Sequence, residues 1–195
     1  MSHIDLSTYP QGTYILEPGI SFVIPLREFR KTDSVSFCGL SSTPNFHVDG
    51  IDRVEHIGHA QSPGCIEKCD GTKIDACNTF YMHPNQIDQL LVFSGRRTSN
   101  LWNPKFSKEI FSYTVTPNQI IQNVNGEERV IHDGPAILGW FNHVYHQVIS
   151  EDGSLSVNFA TRTDEFDLKH EFDIFVVDAE AGTSEIVREG HLDQF

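Results

Sequence analysis

The sequence predicts an all-β protein, a sandwich or barrel built as one structural domain. Three observations lead there. Few windows of the 195-residue chain carry helical periodicity. Short runs of β-branched, aromatic and leucine residues recur at regular spacing, with Gly, Pro, Asn and Asp between them. Asn125-Gly126, set between two such runs, is among the strongest hairpin signals a sequence can carry.

In chain order, residues 1–10 form a polar arm. Residues 12–17 and 21–26 read as two short strands around Pro18-Gly19, a turn pair. The charged stretch 27–33 connects to a strand over 34–40. Residues 41–76 mix Gly, Pro, Ser, Asp and Cys without a clear period, which predicts a long irregular segment with one helical turn at 51–56. Residues 79–83 are aromatic and extended, and Tyr81 and His83, two apart, share a strand face. Pro84-Asn85 breaks that strand, and 88–93 forms an apolar one that Ser94-Gly95 stops. Strands then follow over 97–102, 110–115, 120–124, 128–132, 136–141, 143–150, 155–161 and 172–178, with 163–169 as a short helix or charged loop. The acidic tail from residue 183 carries a last strand and a disordered end. The expected division is an N-terminal layer over 1–75, a barrel over 76–180 and a tail over 181–195.

Charge narrows the function classes. Fourteen Lys and Arg against 27 Asp and Glu give a formal charge of -13, with no basic cluster longer than Arg96-Arg97. Such a field repels a phosphate backbone, so no nucleic-acid partner is expected. No apolar run approaches the ~20 residues that span a bilayer, and residues 1–10 hold no basic and apolar leader, so the expectation is a cytoplasmic protein with no membrane partner. Four cysteines are then expected as reduced thiols. Cys65, Cys69 and Cys77, with His56 and His59 upstream, suggest a zinc cluster, but gaps of three and seven residues do not match the two-residue knuckle of structural zinc sites.

The strand and turn pattern over 76–178 resembles the cupin superfamily. Tyr81, His83, Asp88 and Gly95 fall in the register of its first motif, with four residues between His83 and Asp88 and six between Asp88 and Gly95. Gly139-Trp140-Phe141-Asn142-His143-Val144-Tyr145-His146-Gln147-Val148 resembles the strand of its second motif, with His146 in the ligand position. The resemblance implies a cupin-type double-stranded β-helix, or jelly-roll barrel, with extra N-terminal strands. The chain departs from the family at Tyr81, where a histidine is usual, at Asp88 in place of a glutamate, at the second motif's missing proline and at Ser150 in place of an asparagine.

What the resemblance implies for function is a metal held by His83, Asp88 and His146, a two-histidine, one-carboxylate set suited to Fe(II), with Mn, Ni or Zn fitting the same donors. The expected activity is that of a small-molecule enzyme, a dioxygenase ahead of an isomerase or lyase, acting on an organic acid or aromatic compound. The alternative is a barrel that binds a metabolite or sugar without metal or catalysis. Tyr81 is the candidate catalytic side chain, as a fourth ligand, a hydrogen-bond donor to substrate or a bulky wall. Arg96, with Arg97 and Arg129, is a candidate to hold a substrate carboxylate. Trp140 and the rim residue His143 complete the expected substrate-binding set, and Trp102, Phe111 and Phe141 are read mainly as core. His56 or His59 reaches the barrel mouth if 41–76 folds over as a lid. Cupins commonly pair through strand exchange or barrel edges, so a homodimer is expected.

Overall fold

The computed structural model describes residues 6–40, 47–67 and 71–193, and among them there is no α-helix. The strands of the N-terminal third are β1 (Tyr14–Glu17), β2 (Ser21–Pro25), β3 (Arg27–Lys31), β4 (Ser36–Gly39), β5 (Gly50–His56), β6 (Ala60–Ser62), β7 (Ile66–Glu67) and β8 (Lys73–Ile74). Those of the middle are β9 (Thr79–Met82), β10 (Gln86–Gly95), β11 (Arg97–Trp102), β12 (Phe111–Val115), β13 (Gln119–Val124) and β14 (Glu127–Asp133). The chain closes with β15 (Ala136–Trp140), β16 (Tyr145–Ser150), β17 (Ser154–Arg162), β18 (Ile174–Asp178) and β19 (Thr183–Arg188).

Two antiparallel sheets pack face to face as a jelly-roll barrel. One runs β1-β2-β15-β10-β17-β5, the other β14-β13-β12-β11-β16-β9-β18-β19 with β6 on the flank of β16. The pairs β3-β4 and β7-β8 stand as separate two-stranded ribbons. Strands adjacent in space are mostly distant in sequence, as where β2 pairs with β15 and β5 with β17.

The main core sits between the sheets, where Phe22, Ile24, Leu90, Leu101, Tyr113, Ile120 and Leu138 are almost fully enclosed. Each such side chain contributes about 2 kcal/mol through the apolar surface it removes from water. A second cluster, Phe80, Trp102, Phe175 and Val177, packs separately, so Trp102 lies away from the cavity.

The structure revises the reading of residues 27–76. The charged stretch after β2 is itself a strand, β3, paired to β4. The helical turn expected at 51–56 is strand β5, paired along its whole length to β17. Its sequence, Gly-Ile-Asp-Arg-Val-Glu-His, hides the alternation because one face is solvated and the other meets a polar cavity rather than an apolar core. Of the two alternatives for residues 163–169 the charged loop holds, built from turns, and the tail carries strand β19 followed by a short 3-10 helix at Gly190–Asp193.

Candidate functional site

The site is built from the inner faces of β10, β16, β17 and β5. Along β10 the enclosed side chains two apart are Gln86, Asp88, Leu90 and Val92, so this face changes from polar to apolar in mid-strand. The polar half opens onto a cavity of about 130 Å³ whose wall includes Tyr81, His83, Asp88, Arg97, Trp140 and His146.

Asp88 lies at its centre, 1% exposed. Register supplies its partners: Trp140 on β15 is directly opposite, and Asn158 on β17 is one inward position along from Ala160, which faces Asp88. Oδ1 accepts from Gln86 Nε2 at 2.8 Å and from Asn158 Nδ2 at 2.7 Å, and Oδ2 accepts from the Trp140 indole Nε1 at 3.0 Å. Burial pushes the Asp88 carboxyl up, but the adjoining His83 and His146 and the donors Asn158 and Gln86 outweigh it and hold the group below its ordinary range.

His83 follows the last residue of β9, where Pro84 ends the strand. Its carbonyl accepts from His143 N at 2.8 Å, which ties it to the turn between β15 and β16. Its Nε2 lies 3.3 Å from Asp88 Oδ2, and its Nδ1 meets the backbone carbonyl of Glu171. His146, on β16 between Tyr81 of β9 and Leu101 of β11, sets its Nε2 3.9 Å from the same carboxylate oxygen and its Nδ1 3.2 Å from the Val144 carbonyl. A carbonyl only accepts, so in both rings Nδ1 carries the proton, and in the neutral ring Nε2 presents a lone pair. Burial first, then His83, lowers the His146 pKa to about 4, against the opposing pull of Asp88. Two imidazole lone pairs and a carboxylate oxygen thus converge, all within 4.8 Å of one another. Such an array could hold a cation between them, a proton or a metal ion.

The sequence-derived residues divide cleanly. His83, Asp88 and His146 come together, and Tyr81 and Trp140 line the cavity, although the Trp140 indole N–H is committed to Asp88. Arg96 does not belong to the site: it is exposed and its Nη2 pairs with Glu128 at 2.5 Å. Gly95, at φ +77°, ends β10, and β11 then turns Arg97 inward and leaves Arg96 outside. His143 is likewise excluded. It sits exposed at φ +61° in the turn before β16 and is not part of the cavity wall; its contribution is the backbone N–H that donates to the His83 carbonyl. Arg129 is exposed on the edge strand β14. Gln86, Asn158 and Ser156 were not anticipated; their inward positions follow from register alone. His56 does reach the cavity, carried there by β5 rather than by a lid. Of the suggested zinc cluster, Cys65 and Cys77 are exposed free thiols and Cys69 lies outside the described residues; among the described residues the grouping capable of holding a metal is His83, Asp88 and His146.

No protein-family model matches the chain, and no curated protein matches its sequence. Solved structures do match its fold. A dTDP-4-dehydrorhamnose 3,5-epimerase from Elizabethkingia anophelis NUHP1 is similar with a TM-score of 0.54 at 8% identity, covering 85% of this chain and 80% of that one. The enzyme of the same name from Sulfolobus tokodaii gives a TM-score of 0.51 at 13% identity, with 85% and 80% covered. The chain therefore has the cupin-type jelly-roll fold. Both counterparts are named as dTDP-4-dehydrorhamnose 3,5-epimerases and not as oxygenases, and this overturns the expected dioxygenase acting on an organic acid or aromatic compound.

Proposed function

We propose that the protein is an isomerase-class enzyme that moves a proton on a carbonyl-bearing sugar or sugar-like small molecule. The carrying observation is the buried convergence of His83 Nε2, His146 Nε2 and Asp88 Oδ2, with both Nδ1 atoms held by backbone carbonyls. The likeness in fold to two sugar epimerases supports the substrate class. A cavity of about 130 Å³ is smaller than the roughly 300 Å³ at which drug-sized pockets begin, so a sugar ring enters while any bulky leaving or carrier group lies across the mouth.

In this reading His83 is the base. Its Nε2 takes the proton from the carbon beside the substrate carbonyl, and the C–H electron pair moves into an enediolate. The imidazolium so formed lies 3.3 Å from the Asp88 carboxylate, which three neutral donors keep in place. Tyr81, on the same cavity wall, returns a proton to carbon from another direction, giving the epimer or shifted ketone. The test is exchange of the α-hydrogen of a nucleotide-linked 4-dehydro sugar in D2O, followed by NMR. Wild-type protein is expected to wash deuterium into one carbon, and His83→Asn to slow this by about 10²-fold or more, the usual worth of a positioned base. Absence of exchange across a panel of keto sugars would sink the reading.

The same three atoms favour a second occupant. We propose that His83, Asp88 and His146 can hold one divalent metal ion, Fe(II), Mn, Ni or Zn, since a ligating histidine commonly donates its other N–H to a backbone carbonyl as both do here. Bound there, a metal would polarise the substrate carbonyl; His83 Nε2, engaged as a ligand, would no longer be the base, and Tyr81 on the cavity wall would be left to carry the proton. Elemental analysis beside the His83→Ala variant decides between ion and proton. The small-molecule ligand is joined by one proposed partner, a second copy of the chain, docked through the β3-β4 ribbon. That ribbon stands apart from both sheets and exposes Phe29 (73%), Val35 and Phe37.

A further inference from the structure

The proton-transfer centre leaves one buried charge in the cavity unexplained. Arg97 is 2% exposed and lines the same wall. Its Nη1 donates to Ser156 Oγ and its Nη2 to His56 Nδ1 at 3.2 Å, while its Nε is buried without any partner. Among the described residues no carboxylate lies within ion-pair distance of it. Buried charges are ordinarily paired, and a guanidinium is a planar fork of five donors matched to carboxylate and phosphate oxygens.

The neighbours keep this charge uncompensated. His56 accepts at Nδ1, so its neutral ring carries the proton on Nε2 and is a second donor; burial, then Arg97 itself, holds its pKa below the ordinary value. Arg97, lowered by burial to about 10, stays charged at neutral pH. Asp52, two inward positions from His56 on β5, is exposed at the rim and unpaired with it. Ser156 and Asn158 alternate on one face of β17; the first holds Arg97 and the second Asp88, so the two anchors stand about 7 Å apart along the strand. A ligand can thus meet the guanidinium with one end and the proton-transfer centre with the other without bringing two anions together.

We propose that Arg97 is an oxyanion-binding residue, and that the sugar-like ligand of this cavity carries its own phosphate or carboxylate, received by the Arg97 guanidinium, whose Nε has no partner. This deepens the reading of the cavity as a small-molecule site and rests on it. The site is internal, where the acidic surface of the protein, with its -13 formal charge, cannot supply the counter-ion.

The experiment follows the arginine Nε–H signals of 15N-labelled protein by NMR at constant ionic strength, during titration with inorganic phosphate, with acetate and with neutral glucose. One resonance, identified by its loss in Arg97→Lys, is expected to shift saturably with phosphate or acetate and to ignore glucose; whichever anion acts names the group on the ligand. Calorimetry is expected to show affinity for that anion reduced at least about tenfold in Arg97→Met and unchanged in Arg96→Ala. A resonance unmoved by both anions overturns the proposal, as does equal weakening in Arg96→Ala, which would place binding on the surface. If Arg97→Met fails to fold, the wild-type titration decides alone. Anion binding at Arg97 without sugar exchange in D2O upholds this proposal and removes the isomerase; exchange on a neutral keto sugar with the Arg97 signal unmoved does the reverse.

Discussion

Asp88 shows how much the candidate site depends on side chains that do no chemistry. Three neutral donors, Gln86, Asn158 and Trp140, converge on its two oxygens. Asp88→Ala strands all three, and at about 1 to 3 kcal/mol for each buried group left unpaired, the expected loss in urea denaturation exceeds 3 kcal/mol. Trp140→Phe removes one donor and the five-membered ring of a buried indole, so a loss of about 1 to 3 kcal/mol, below that of Asp88→Ala, is expected; equal losses in the two variants would show that the carboxylate network does not hold the cavity together. The set His83, Asp88 and His146 was legible in sequence only through the spacing it shares with the two cupin motifs, which also selected His146 over His143. Gln86 and Asn158 were not, since a neutral amide reads alike on either face until register is known. Arg96 and Arg97 could not be separated for the same reason: one residue of phase decides which of two adjacent arginines enters the barrel.

At the scale of elements, the strands around each turn signal were legible, and β5 was not. Its polar alternate residues line a cavity, so the apolar period that marks a strand is missing. Gly95 is the turn on which β10 and β11 depend. It sits at φ +77°, and a methyl group there would collide with the backbone of Gly153. Gly95→Ala combines a left-handed backbone cost of roughly 1 to 2 kcal/mol with that collision, and it is expected to destabilise by at least 2 kcal/mol in urea while Gly182→Ala, in open space, loses only the backbone part. The β3-β4 ribbon carries the proposed pairing surface. Phe29 and Phe37 pack against one another with rings tilted by 41° and 6.1 Å between ring centres, on a hairpin that forms its own two-stranded sheet apart from the other two. Light scattering is expected to give a dimer mass for the wild type and a monomer mass for Phe29→Asp; a wild-type monomer at working concentration would remove the dimer.

For the molecule as a whole, two electrostatic effects run in opposite directions as pH falls, and the site decides which prevails. Approaching the isoelectric point near 5.0 relieves the mutual repulsion of an acidic protein, which favours the folded state. His146 acts against this. Its folded pKa is about 4, below the ~6.5 of an unfolded histidine, so between those values the unfolded chain binds a proton that the folded chain refuses. Stability from this group is therefore complete above pH 6.5, declines as pH drops through 6 and 5, and changes no further below about 4. The decline at pH 5 amounts to about 2 kcal/mol from a gap of that size. Asp88, whose carboxyl is held below its ordinary range, adds its loss only at more acid pH, below the unfolded carboxylate value. Urea denaturation of the metal-free protein at pH 7 and pH 5 is expected to show a net fall for the wild type and a smaller fall, or a gain, for His146→Gln, which keeps the polar contact but cannot titrate. If both proteins respond alike, the ring is not the neutral, lone-pair-bearing group that a proton or a metal ion in this cavity requires.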